Sequence, residues 1–519
     1  MINKYLRWMK TGLLQEMFEL VKSLSKTEKR YFKLYTQFQQ GDKSYIKLFD
    51  IIDKQVSFNE KIINQKFLSK NKVTNFPAIK KYLFNQLVAS IKSYGAYKDL
   101  DSDHSDLIET YKVLRYKGLY GQSDRLLKKI KQLTLEDDAF LRHYSALILE
   151  YYKEMYDPDD TSSANIIRIL KEFRSTMDVM DNYSKVAETF ILVRLHLKTK
   201  LYCRNDKDKE ELTKIACNLL KTTDSDMLSR TALSMRKLTL CDYYLAVGEP
   251  AKAFETSKIH LELRKNVGSN DKLDTLTLNE YFQHSVICLR SGFFEGFEEN
   301  IQHYKLLIDT VRNKEKYFLF YERWHNSVFM YYNRTGQFAE GAAFLKKEQA
   351  KNADLEKNFS MKAKITLWYF TAYNCFALKD YKRALKLIQN IMNDADDTVE
   401  ESSFAKLLLM FVHYHLNNYE LLEYQARSAD RMMKKTDHLY NCEKLLLDFF
   451  KIVSGLVDAS QLDMQLKALQ KKVNILFKVH YERGFSFYFD IQSWIESQLT
   501  GKGFAQVVRR VNSCIAENV

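Results

Sequence analysis

The side chains able to do chemistry are scattered along this chain, and their spacing suits little of it. His413 and His415 stand two apart, so on a helix they face different directions. His438 and Cys442 stand four apart and could face one ion, but nothing nearby completes a zinc set. The acidic runs DSDHSD (101–106), DPDD (157–160) and NDADD (393–397) lack the glycine and closing glutamate of a calcium loop. They read as solvated loops and helix starts. There is no Gly-x-Gly-x-x-Gly and no phosphate loop, and Gly501-Lys502-Gly503 reads as a turn between helices. A Gly-x-Ser-x-Gly elbow is also missing, and the cysteines and histidines form no recognisable catalytic group. The expectation is a protein that is not an enzyme, with no catalytic residue, metal or cofactor.

The seven cysteines are odd in number, and no two sit at Cys-x-x-Cys spacing. Reduced thiols in a cytoplasm are the simpler reading than a disulfide framework. Charges break every apolar run of MINKYLRWMKTGLLQEMFEL, and runs such as Leu407–Val412 are far short of a membrane span. A soluble, cytoplasmic protein without a membrane partner is expected.

One constellation invites a partner. In LSKTEKRYFKLYTQF (24–38), Lys26, Lys29, Arg30 and Lys33 share one side of a helix. Tyr31, Leu34, Tyr35 and Phe38 lie roughly opposite and read as core anchors. Residues 1–100 carry 19 Lys and Arg against 8 Asp and Glu, a net +11, whereas the remainder carries 61 against 58, a net +3. The basic excess thus belongs to an N-terminal module, residues 1–98, for which an anionic partner such as nucleic acid is the alternative reading.

The elements that position these residues are helical. Three prolines and fifteen glycines in 519 residues are too few for an all-β chain. Such a length exceeds one ordinary core. Ser25-x-x-Glu28 and Ser57-x-x-Glu60 are capping boxes that place helix starts near 26 and 58. Asn75-Phe-Pro77 opens another helix, whose stripe of Ile79, Leu83, Leu87 and Ile91 should centre the module.

From about residue 99 to 430 one layout recurs: an apolar helix, a short turn, an aromatic residue or proline, and a second helix. The turns YKGLYGQ, AVGEPAK, RSGFFEG, RTGQFAE, LKDYKRA and LNNYELL align on Tyr120, Pro250, Phe294, Phe338, Tyr381 and Tyr419. The last five are spaced 44, 44, 43 and 38 residues apart, and two more turns are expected near Asp157-Pro158 and Asn205-Asp206. A period in this range predicts stacked helical hairpins. Residues 431–519 read as helices near 440–454, 460–479 and 484–499, with a short one after Gly503, that complete and cap the stack.

TLWYFTAYNCFALKDYKRALKLI (366–388) resembles a tetratricopeptide repeat, with Trp368, Ala372, Tyr381 and Ala384 at the motif's Trp, small, turn-aromatic and Ala positions. Gly248 with Ala253, and Gly336 with Phe338 and Gly341, match in two other segments. The period is about ten residues longer than that motif's, and its terminal proline is missing after every second helix. LSKTEKRYFKLY and FDIQSWIESQL are also similar to the two ends of uncharacterised bacterial repeat proteins. The resemblance implies an all-α, right-handed α-solenoid of antiparallel hairpins preceded by the basic module. It implies a scaffold or adaptor that binds a protein or peptide on a concave face. The family's inner-face positions fall on Phe282, Arg290, Arg323, Asn326, Asn333, Arg334, Tyr369, Tyr373 and Tyr414. Arginine suits carboxylates and tyrosine supplies flat contact area. The composition is silent on oligomeric state.

Overall fold

The computed structural model describes residues 13–37, 43–69, 75–94, 100–136, 138–156, 163–199, 202–203, 205–265, 275–311, 313–351, 355–395, 400–435, 439–455 and 459–517. Among them every regular element is a helix. Two compact units divide the chain, Met1–Phe173 and Arg174–Val519. The boundaries expected at 98 and 430 fall inside these units.

The first unit begins with α1 (Leu13–Ser23), α2 (Lys26–Gln37), α3 (Ser44–Asp53), α4 (Glu60–Leu68) and α5 (Phe76–Tyr94). The Ser25 box is formed as the spacing predicts: Glu28 accepts from the Ser25 backbone N–H at 2.7 Å, and Ser25 Oγ accepts from the Glu28 N–H at 3.2 Å. The Ser57 box is not used. Asn59 caps α4 instead, accepting from the Ile62 N–H at 3.1 Å, so the helix starts at Glu60. Helix α5 touches α1, α2 and α3, and its Leu83 and Leu87 are fully buried with Met17, Phe32 and Phe49. Helices α6 (Leu100–Tyr116), α7 (Tyr120–Glu136) and α8 (Phe140–Tyr156) follow, around Tyr111, Leu127, Ile130 and Ala146. Beside them Lys131 meets Glu150 and Glu172 at 2.6 Å each, and Arg168 bonds the same two carboxylates.

The division falls within α9 (Ser163–Thr199), a single helix of 37 residues where hairpins of the recurring length would have turned. It contains no glycine or proline to break it. The expected turn at Asp157-Pro158 lies outside the described residues. At the other expected turn Asn205 caps the next helix, accepting from the Asp208 N–H at 2.9 Å.

In the second unit come α10 (Asp206–Lys221), α11 (Arg230–Ala246), α12 (Pro250–Lys265), α13 (Thr275–Ser291), α14 (Phe297–Asp309), α15 (Lys314–Arg334) and α16 (Phe338–Lys351). They are followed by α17 (Met361–Ala377), α18 (Tyr381–Asp394), α19 (Glu400–His415), α20 (Tyr419–Lys435), α21 (Asn441–Val453) and α22 (Ala459–Leu476). Helices α11, α13, α15, α17, α19 and α21 each pack on the next of that set as well as on their own hairpin partners. The turns share one geometry. Gly118, Gly248, Gly292, Gly336, Lys379 and Asn417 all have positive φ. In five of the six the next residue's N–H reaches back five positions, as in Glu249 to Tyr244 O and Gln337 to Tyr332 O at 2.8 Å. In the sixth, a second left-handed glycine, Gly296, delays α14 to Phe297. Small residues sit where these helices meet: Ala253, Ala372 and Ala384 are fully buried, and a Cβ on Gly341 would lie 3.1 Å from Tyr332 Cβ.

The C-terminal region departs from the expected run of helices. After α22 come a 3-10 stretch over His480–Phe487, an irregular link, α23 (Ile491–Thr500) and α24 (Phe504–Glu517). Helix α23 starts at Ile491 rather than 484 because Asp490 caps it, accepting from the Ser493 N–H at 3.0 Å. While α21 and α22 extend the succession, residues 485–508 turn back along α15, α17 and α19 and join its core.

Candidate functional site

The face formed by α15, α17 and α19 holds a length of polypeptide, and that polypeptide is the chain's own. Tyr369 on α17 donates its hydroxyl proton to the Tyr488 carbonyl at 3.1 Å. Arg334 on α15 donates through Nη1 to the Ser486 carbonyl. Ring contacts carry the rest: Phe404 stacks on Tyr488 at 4.0 Å, Phe411 on Phe489 at 4.1 Å, and Tyr373 meets Phe489 at 5.5 Å. Trp494, fully buried, packs 5.5 Å from Tyr414. Such ring pairs add to the area they bury.

This arrangement corrects the expectation for five of the nine inner-face positions. Asn326, Asn333, Tyr369, Tyr373 and Tyr414 are buried, so none offers open surface to a partner. The asparagines bond between hairpins: Asn326 Nδ2 to Ala363 O at 3.0 Å, and Asn333 Nδ2 to Phe370 O at 3.2 Å. Asn374, which no spacing signal marked, joins them by donating to Asn333 Oδ1 at 2.8 Å and to Phe338 O at 3.0 Å. Arg323 is committed elsewhere. It donates to Asn279 at 2.8 Å and lies 4.8 Å over Phe282, away from the other arginines' recess.

Arg290 and Arg334 are brought together. Each occupies the last turn of its helix, two residues before a left-handed glycine, where the helix dipole favours a cation. A Cβ on Gly292 would lie only 3.3 Å from Arg334 Nη2, so the second guanidinium rests on the turn that follows the first. Both line a recess of about 460 Å³, within the usual range for ligand pockets. Tyr202, Ser291, Asn474 and Lys478 share its polar wall, and Phe293, Phe477 and Phe487 its apolar one. No aspartate or glutamate is among the described residues that line it.

Tyr202 is fixed from two sides. The Cys203 N–H bonds Ala246 O at 2.9 Å, and a Cβ on Gly484 would approach Tyr202 Cδ2 to 2.9 Å, so any side chain at 484 would displace the ring. Arg290 donates from Nε to the Tyr202 hydroxyl at 3.0 Å and lies 4.5 Å over its ring. Burial opposes the Arg290 charge, yet the Tyr202 hydroxyl beside it holds the guanidinium above its ordinary value. Arg334 is pushed below its ordinary value by burial, with Asp490 acting in the opposite sense. Tyr202, Asn474, Lys478 and Ser486 were missed by the sequence reading. The dense aromatic run GFSFYF at 484–489 was the signal that this segment buries itself.

In the first unit the basic stripe is partly spent on the fold. Lys29 pairs with Asp53 at 2.8 Å and Lys33 with Asp50 at 2.7 Å, both on α3. Lys26 and Arg30 are exposed. The aromatic stripe is shifted: Phe32 and Thr36 are the buried positions, Tyr31 and Tyr35 are half-buried, and Leu34 is 46% exposed. Phe38 lies outside the described residues, as does His438; Cys442 is fully buried. Among the described residues no helix is long and apolar enough to cross a membrane.

No protein-family model matches the chain, and a search of curated proteins finds no match.

Proposed function

We propose that the chain is a non-enzymatic, cytoplasmic binding module. In this reading it is a right-handed α-solenoid of tetratricopeptide-like hairpins that recognises an extended segment of a protein partner. The observation that carries the reading is the way the inner helices already hold Ser486–Asp490. They take its carbonyls with Arg334 and Tyr369 and its rings with Phe404 and Phe411. A face that accommodates irregular backbone in this way has the chemistry to continue it in trans. The recess at Arg290 and Arg334 is where the same groove remains unfilled. The recurring left-handed turn and the buried small residues support the tetratricopeptide-like assignment. The cysteines are scattered, and among the described residues none is in a disulfide, in keeping with a reducing compartment.

Fluorescence anisotropy on the full chain tests the reading, with short labelled peptides rich in glutamate and their lysine-substituted counterparts. Saturable binding of the acidic set, weakened by Arg290→Gln, is expected. Failure of every peptide to bind contradicts it.

A further inference from the structure

The recess gathers three cations, Arg290, Arg334 and Lys478, and its described lining holds no acid. Arg334 spends Nη1 on the Ser486 carbonyl, and its Nη2 lies against Gly292. Its Nε is buried and makes no hydrogen bond among the described residues. A buried guanidinium N–H without an acceptor costs free energy, more so next to other cations. Arg290 and Lys478 line the same space, and the carboxylates that act on the two arginines, Asp242 and Asp490, are not part of its described lining. Arginine presents its Nε edge to an oxyanion as a planar fork, which a lysine cannot do.

We propose that this recess is an oxyanion site: it takes a carboxylate of the bound segment, a chain terminus or an acidic side chain, against the Nε edge of Arg334, with Arg290 and Lys478 around it. The proposal rests on the peptide reading above for the source of the carboxylate, while the site itself is defined by the three cations. The apolar wall of Phe293, Phe477 and Phe487 would then cover the carbon chain that carries the group. Ser291, the last residue of α13, also lines it, with its hydroxyl donating to the Cys288 carbonyl at 3.3 Å.

Isothermal calorimetry on the full chain at fixed ionic strength tests it, with succinate, inorganic phosphate and a glutamate-rich peptide as probes. Arg334→Lys keeps the charge and removes the fork, and Lys478→Ala alters an exposed position that the fold tolerates. Saturable binding of succinate or the peptide is expected, weakened about tenfold or more by Arg334→Lys. Lys478→Ala should weaken it severalfold, and it serves alone if Arg334→Lys does not fold. Succinate or phosphate binding without peptide binding supports the oxyanion site and contradicts the peptide reading. Peptide binding indifferent to both substitutions overturns the site and leaves the peptide reading standing. Absence of any anion binding also overturns it.

Discussion

His415 shows how a single side chain ties the returning segment to the hairpins. The Trp494 Nε1–H donates to its Nε2 at 3.1 Å, and Tyr381 stacks on its ring at 5.6 Å. The acceptor role requires a neutral imidazole, and burial, with the charge of Lys379 adding to it, pushes His415 down to about 4. The unfolded chain titrates near 6.5, so the folded protein binds fewer protons between these values. The contribution is whole above about pH 6.5 and fades as the pH falls toward 4. A urea series is expected to show about 2 kcal/mol of stability lost from this group between pH 7 and 4.5. His415→Gln, which can still accept from Trp494, should flatten that slope; an unchanged slope would remove His415 as its source. None of this was legible at 413–415, because Trp494 stands 79 residues away. The basic stripe was half legible for a related reason. A helical wheel sorts charge from rings, but α2 packs on α5, and its Phe32 meets Phe49 of α3 at 4.7 Å. The buried centre therefore moves to Phe32, and two lysines turn toward Asp50 and Asp53.

Among the elements, the turns were read best. All six quoted turns carry a left-handed residue two positions before the aligned aromatic or proline, and five of the aligned residues begin a helix. The reason is local: a left-handed C-terminal cap is set by a few residues and needs no distant partner. What local sequence could not give is what each turn faces. Gly118 has nothing within 4 Å of where a Cβ would stand, whereas at Gly336 a Cβ would lie 2.6 Å from the Arg509 backbone nitrogen of α24. Both have positive φ, so alanine strains each by about 1–2 kcal/mol. Gly336→Ala should cost roughly 2 kcal/mol beyond that, because backbone must move. It should also release α24, where Arg509 bonds Glu340 at 3.0 Å, to limited proteolysis. Each variant is read from the denaturation midpoint of its own unit; equal losses would mean that α24 does not dock as described. The helix boundary missed at 484 has the same origin. Glu482, buried, accepts from the Cys442 N–H at 3.1 Å at the start of α21, a contact across 40 residues that no period predicts.

At the scale of the whole molecule, composition foretold an all-α chain, and the resemblance pointed to faces of α13, α15, α17 and α19. Aromatic pairing then decided what those helices hold. The resemblance supplied positions such as Tyr369, Tyr373 and Tyr414, and these residues do bind polypeptide. The polypeptide is residues 485–494, more than 70 residues farther along the chain than any of the three. On the proposed reading, a partner segment would enter the recess that the C-terminal segment leaves open, between Arg290, Arg334 and Lys478. The most direct test is to irradiate the full chain with a glutamate-rich peptide carrying a photo-crosslinking residue and to map the adducts by mass spectrometry. Adducts confined to the recess wall, near Arg290–Phe293 and Phe477–Lys478, are predicted. Adducts spread over α16 and α18, or none above a non-binding control peptide, would contradict the account.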